Sequence, residues 1–496
     1  MHGMLIALAA AALVDLVLVN GRIWSNDQGK PEVQALAAAQ GRIVATGTSA
    51  AMRALAGPPA RVIDLRGRRA LPGFHDSHTH VLEAGLGLSQ VSLKDAADEE
   101  EFGRRLREFD HQLPASSWIL GGRWDHDRTF GGKLPDKELI DKYAPGRAVV
   151  IDRCDGHMAV ANSRALALAG ITADTPDPVG GIIYRKAGTR EPSGILRDKA
   201  ADLVEAKAPP PSEAEIDAAV RAALAQAARD GVTALEDLGT DLPGAGDEGL
   251  ARLFRRYQSL DRERKMTARV ALWWPIRTWA NLARLGVESG LGNEFVSVGG
   301  VKGFVDGSLG SSTAKMFQPY LNEPGSTGIF VTPPDQLREW IRAADAAGLQ
   351  VAVRAIGDEG NAKLLDIFAE VGKANGARDR RFRDEHAQHL RATDIPRFSA
   401  LQVIASMQPY HVIDDGRWAE GRVRAEVLRG SYAYRSLLQA GAPLAFGSDW
   451  PVAPLSALLG IDAPVNRRTL DGKHPQGWFP QEKISVREAI DAYTRG

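Results

Sequence analysis

The sequence predicts a (β/α)8 barrel with a small β-domain on its N-terminal side and a large insertion after the first barrel strand. Three observations predict it. A unit of helix, glycine, apolar strand and polar strand-end residue recurs along the chain. Apolar strands with polar tips can be counted to eight. The first two of these are separated by roughly 150 residues, far more than one βα connection uses.

The chain opens on "MLIALAAAAL", which has the apolar character of a secretory signal but no Lys or Arg before it. Two locations therefore stay open: cytoplasmic, or periplasmic or secreted. Residues 13–70 read as short β-segments, because "DLVLVNGRIWS", "VQALAAAQGRIVATG" and "RVIDLRGRRALPG" are β-rich runs broken by Asn-Gly, Gln-Gly and Arg-Gly. This is the small β-unit. The barrel is assigned residues 71–87 and 231–496, and residues 88–230 are an inserted lid or substrate subdomain.

"PSEAEIDAAVRAALAQAARDGVTALEDLG" carries the repeating rhythm most clearly. Ser212 and Glu215 have capping-box spacing; Ile216, Ala219, Val220, Ala223 and Leu224 share a helical face; Gly231 ends the helix and a strand follows. "DQLREWIRAADAAGLQVAVRAIGD" and "YRSLLQAGAPLAFGSDW" repeat it. The eight strands are read at 69–80, 231–239, 269–276, 298–308, 349–358, 381–390, 402–410 and 443–451.

Composition limits the function classes. The 496 residues carry a formal net charge of −1, which gives no footprint for nucleic acid. One cysteine, Cys154, rules out an intramolecular disulfide framework. After the N-terminal run, nothing approaches the ~18–20 apolar residues of a membrane span. A small molecule is the expected partner, and self-association into a homo-oligomer stays open.

Barrel chemistry gathers where strands end. Those ends hold His78 and His80 in "LPGFHDSHTH", Glu236 and Asp237, Lys302 and Asp306, Arg354 and Asp358, His386 with His389, His411, and Asp449. Alternation points i and i+2 side chains of a strand the same way, so His78 and His80 share a face. A lone strand-end histidine is ordinarily a satisfied polar group. The ordered set HxH, Lys, His and Ser-Asp on successive units is instead what a zinc or iron hydrolase needs.

Nine segments, "LPGFHDSHTH", "GGRWDHD", "DGHMAVANSRAL", "EPSGIL", "VKGFVDGSLGSSTA", "VAVRAIGD", "EHAQHL", "SMQPYH" and "FGSDWPV", bring a family into view. The sequence resembles the amidohydrolase superfamily, in its YtcJ-like and N-substituted-formamide-deformylase-like branch. The resemblance implies a metal-dependent barrel with a β-sandwich built from both chain ends, and hydrolysis of a non-peptide C–N bond in a small molecule. A deaminase or ester hydrolase is the alternative within the superfamily. His78, His80, Lys302, His386 and Asp449 fall on metal positions, with Asp449 also the general base. Lys302 stands where relatives carry a carbamylated lysine. The implied cofactor is a divalent metal, zinc, one ion rather than two. The chain ends in "SVREAIDAYTRG", inside a barrel helix, so the strands completing the β-sandwich are expected to be missing.

His411 is the candidate oxyanion donor or substrate contact, the plain reading being a loop histidine against Tyr410. Trp450 beside Asp449, Trp124 in "GGRWDHD" and Asp306 are candidate substrate contacts; Asp306 reads equally well as a turn aspartate before glycine. Asp155 and His157 in "DGH" are read as holding the insertion together.

Arg354 is the departure that matters. Relatives read "VAVHAIGD" where this chain reads "VAVRAIGD", and a guanidinium has no lone pair for a metal. Either its charge stands in for a second metal, paired with Asp449 or a carbamylated Lys302, or the protein is a catalytically impaired binder. Asp384, where relatives are apolar, is a second expected partner for Arg354.

Overall fold

Eight parallel strands carry the architecture: β1 (Phe74–Thr79), β2 (Val232–Asp237), β3 (Arg269–Pro275), β4 (Val296–Phe304), β5 (Val351–Ala355), β6 (Arg383–His386), β7 (Ile404–Met407) and β8 (Leu444–Phe446). They pair in sequence order into one sheet. A parallel bridge between Thr79 and Trp450 joins the two ends. Asp449 N donates to the His78 carbonyl at 2.7 Å, and His80 N donates to the Trp450 carbonyl at 2.9 Å. The sheet is therefore a closed (β/α)8 barrel. In this computed structural model, residues 14–27, 29–113, 117–239 and 246–495 are described; the "MLIALAAAAL" run lies outside them. The eight strands occur in the expected order, each within two residues of the anticipated start except the first, whose Arg69–Ala70 segment pairs elsewhere.

The helix before β2 shows how local sequence sets the barrel. It spans Glu213–Asp230, capped by a reciprocal Ser212–Glu215 box and closed by Gly231 at φ 72°. Ile216, Ala219, Val220, Ala223 and Leu224 are buried along its inner face. It packs on the helix Val81–Gly87, where a Cβ on Gly85 would lie 2.2 Å from the Ala219 carbonyl. The sequence reading put this helix inside the insertion. It leads straight into β2, so it is part of the barrel's helical layer.

The preceding segment has its own antiparallel sheet, made of Val150–Asp152, Met158–Ala161, Gly181–Arg185 and Pro192–Asp198. Two apolar clusters flank it, one around Phe102, Trp124, Ile140 and Ile151, the other around Ala159, Leu166, Leu196 and Val204. Asp155 of "DGH" accepts from Ser308 Oγ at 2.7 Å and Ser311 Oγ at 3.3 Å, so it ties the insertion to the loop after β4.

The chain divides into two units, the first reaching Phe74 and the second running from His75 to Thr494. The first holds a four-stranded and a three-stranded sheet, with Val17, Val19, Ala35, Ala37 and Met52 in its core. Among the described residues no helix is long and apolar enough to cross a membrane.

Candidate metal centre

Strand ends β1, β6 and β8 bring His78, His386 and Asp449 to one mouth of the barrel. All three are buried, with one ligand atom from each within 4.8 Å of the others. Asp449 sits at the centre. Its Oδ1 is 3.5 Å from His78 Nε2 and 3.3 Å from His80 Nε2. Its Oδ2 is 4.0 Å from both His386 Nε2 and His411 Nε2.

Donors held about 2.0–2.2 Å from a tetrahedral zinc lie about 3.3–3.6 Å apart, and Asp449 Oδ1 stands at that separation from His78 Nε2 and from His80 Nε2. Burial, with Lys302 helping, brings His78 down to about 4. Burial, with Arg354, holds His386 well below the usual imidazole range, and burial lowers His411. Neutral imidazoles keep the lone pairs a metal needs. Burial opposes ionisation of Asp449, but the contact with His80 and the charge of His78 and His386 in their protonated forms lower its carboxyl well below the usual range. The residues fit a divalent cation.

Hydrogen bonds behind the donors fix their orientation. His80 Nδ1 donates to the Gly239 carbonyl at 2.8 Å, leaving Nε2 towards Asp449. His78 Nδ1 donates to Glu385 Oε2 at 2.6 Å. Arg383 Nε meets the other Glu385 oxygen at 2.6 Å. Against the cost of burial, Arg383 and His78 hold Glu385 at about 2. Glu385 and Arg383 escaped the sequence reading because strict alternation sends Glu385 away from the face of His386. At the end of β6 the backbone leaves strand geometry, with His386 at φ 76° and Ala387 at φ 44°, and both side chains reach the mouth. The only sequence signal was a carboxylate next to a candidate ligand.

Lys302 is buried on β4 with its ammonium 5.0 Å from the Phe304 ring centre. It forms no ion pair with Asp306 or Asp449 in the structure. Burial, with Arg354 and Arg383 and against Glu385, brings it down to about 8. His411 does not lean on Tyr410; its ring lies parallel to that of His386, 6.0 Å centre to centre. Trp450 lines an outer cleft of about 490 Å³ together with Lys94, Tyr410 and Pro451.

Two expected substrate contacts lie elsewhere. Asp306 is fully buried and accepts from the backbone amides of Ile356 at 3.0 Å and of Gly357 and Lys315 at 2.8 Å. The turn reading of Asp306 prevails. Trp124 is fully buried in the insertion core, its Nε1 donating to the Ile151 carbonyl at 2.8 Å. It packs; it does not line the mouth.

Arg354 pairs with neither Asp449, Lys302 nor Asp384. Its Nη1 donates to His386 Nε2 at 2.7 Å and its Nε to the Gly307 carbonyl at 3.4 Å. Strand pairing sets Arg354 opposite Glu385, one residue out of step with Asp384. Asp384 is fully buried and receives no side-chain partner. Burial, then Glu385 and Asp306, push its carboxyl well above the usual range. A neutral acid there avoids an unpaired buried charge.

The chain matches the amidohydrolase family over residues 61–496. Protein LONG AFTER FAR-RED 3 of Arabidopsis thaliana is 40% identical over 488 residues, covering 98% of this chain and 83% of its own length. N-substituted formamide deformylase of Arthrobacter pascens is 24% identical over 496 residues, covering 97% of this chain and 88% of its own length. The crystal structure of a metal-dependent hydrolase from Pyrococcus horikoshii OT3 superposes with a TM-score of 0.75 at 26% identity, covering 97% of this chain and 92% of that one. A match of this extent, containing the strand-end histidines and aspartate, makes the chain a member of the amidohydrolase family.

Proposed function

We propose that this chain hydrolyses a non-peptide C–N bond of a small amide-like molecule, with Asp449 as general base. The observation carrying the proposal is the approach of the His78 and His80 nitrogens to 3.5 and 3.3 Å from one buried Asp449 oxygen at the barrel mouth. Similarity to a formamide deformylase favours an amide over other bonds.

His78, His80 and Asp449 would hold the cation, zinc by the customary preference for imidazole and carboxylate donors. Such an ion supplies a Lewis acid and acidifies water. One ion is proposed rather than two, because Arg354 engages the Nε2 of His386. Lys302, brought down to about 8, loses its proton far more readily than a free lysine, as carbamylation of the neutral amine requires. Asp449, kept ionised among the histidines, receives a proton from the attacking water and returns it to the leaving nitrogen. His411 Nε2, buried without a hydrogen-bond partner, faces the same carboxylate and is placed to contact substrate. Trp450 forms part of the wall against which the departing amine rests. A cytoplasmic location is proposed, with which the single cysteine is compatible; a periplasmic or secreted location is the alternative, motivated by the apolar N-terminal run.

Turnover of a panel of N-formyl and N-acyl amines by zinc-loaded protein tests this reading. Activity that disappears in Asp449→Asn supports it. Zinc uptake with no turnover on the panel favours the alternative of a silent binder, whose motive is the Arg354–His386 contact.

A further inference from the structure

Arg354 differs from the other buried arginines near the barrel mouth. Arg383 is bonded to Glu385, Arg153 to Asp155 at 2.9 Å, and Arg197 to Glu323 at 2.8 Å. Arg354 is only 7% exposed, yet no carboxylate of the described residues lies within ion-pair distance of it. Burying a guanidinium without a counter-charge is costly. Arg467, also buried without a carboxylate, meets three backbone carbonyls, whereas Arg354 has one carbonyl and one imidazole, which leaves it able to meet an incoming negative charge.

Its surroundings say where. Arg354 lines a cavity of about 50 Å³ that is also lined by Asp449, His386 and His411. Two of its nitrogens are committed, Nε to Gly307 and Nη1 to His386, and these two bonds fix the plane of the guanidinium. Nη2 meets no acceptor among the described residues. A charged donor held by two hydrogen bonds, with a free edge and lining the same cavity as the base, has the form of an oxyanion donor.

We propose that Arg354 is a catalytic residue that donates hydrogen bonds from its free edge to the substrate carbonyl oxygen as that oxygen becomes an alkoxide. The proposal rests on the amide-hydrolysis reading. As the water oxygen bonds to the carbonyl carbon, the C=O π pair moves onto oxygen, where Arg354 receives it, and Asp449 takes a water proton. The pair then returns to re-form C=O, the C–N bond breaks with its electrons going to nitrogen, and Asp449 protonates that nitrogen. The products are a carboxylic acid and an amine, and Arg354 transfers no proton at any point. The arginine that departs from the family pattern thus becomes a working electrophile.

Arg354→Met, which keeps length but removes every donor, tests the assignment beside Arg354→Lys, which keeps the charge. In zinc-loaded protein Arg354→Met should lower kcat about 100-fold or more while KM stays within about threefold. Arg354→Lys should fall between the two, and guanidinium added to Arg354→Ala should restore at least about tenfold. Zinc per chain, measured alongside, should equal that of the wild type. A readout free of turnover is the affinity for methylphosphonate, a tetrahedral anion, which should weaken about tenfold or more in Arg354→Met. Unchanged methylphosphonate affinity in a folded Arg354→Met protein overturns the proposal, as does failure of the wild type to bind it. If the wild type binds methylphosphonate through Arg354 but hydrolyses no amide, the anion-receiving role stands and the amide reading falls.

Discussion

His78 and Glu385 form a buried pair, Nδ1 to Oε2 at 2.6 Å, that joins a metal-ligand candidate on β1 to a carboxylate on β6. The bond fixes the imidazole tautomer and turns Nε2 towards Asp449. Glu385 is shared with Arg383, so one carboxylate serves both the ligand and a buried cation.

Glu385→Gln should act on two quantities at once. Losing the carboxylate behind His78 should weaken zinc binding about 10–100-fold, read by competition with a chromophoric chelator. Leaving Arg383 without its nearest anion should cost about 3–5 kcal/mol of stability, read by urea unfolding. A normal zinc affinity would show that His78 is held in place by packing alone.

Asp306→Ala separates a structural from a substrate role. Three buried backbone amides lose their acceptor, at about 1–3 kcal/mol each. Unfolding should therefore occur at much lower urea, while protein that remains folded should keep the wild-type KM. A KM change without loss of stability would place Asp306 at the substrate after all.

The insertion carries a pH-sensitive pair. Burial raises Asp152 to about 6, and burial together with Asp152 and Asp202 holds Glu205 well above the usual range. The folded protein keeps these protons to higher pH than the unfolded chain. Stability from the protonated pair is therefore complete below about 4 and is lost as pH rises through about 6 and beyond. Glu205→Gln should flatten the fall in stability between pH 5 and pH 8 and be more stable than wild type at pH 8. Urea midpoints at the two pH values decide it.

Ser212→Ala removes the cap of the helix leading into β2 and should cost about 1 kcal/mol. Gly231→Ala forces a Cβ into the left-handed region at φ 72° and should cost a similar amount. Thermal unfolding of the two variants measures both.

Where the sequence carried local physics, it was legible. The Ser212–Glu215 box, the apolar face after it and Gly231 all report on neighbours within a few residues, and the repeated unit made the barrel countable. His78 and His80 were legible for the same reason, since two-residue spacing fixes a shared face. Side-chain partnerships across the barrel were not. Arg354 was expected at a carboxylate and is found at His386, because pairing between β5 and β6 sets it opposite Glu385 while the turn of the chain at His386 brings the imidazole round. Trp124 lies in a glycine-flanked, polar motif that gives no sign of the apolar cluster closing over it. Asp306 stands before a glycine, which hints at a turn but not at the three amides it collects from two other segments.

His78 and His80 come from the end of the first strand and Asp449 from the end of the last, and the bridge between Thr79 and Trp450 brings these three into register. A ribosome-bound chain that has not yet emitted residue 449 has no centre to offer, however well its earlier strands have formed. Cation capture is thus a terminal event of biogenesis, and it rewards completion: an ion gripping both ends of the sheet acts as a clasp on a ring. Zinc should stabilise the finished protein in proportion to its affinity, by about 2.7 kcal/mol at one hundred times its dissociation constant, and do nothing for a chain cut short before β8.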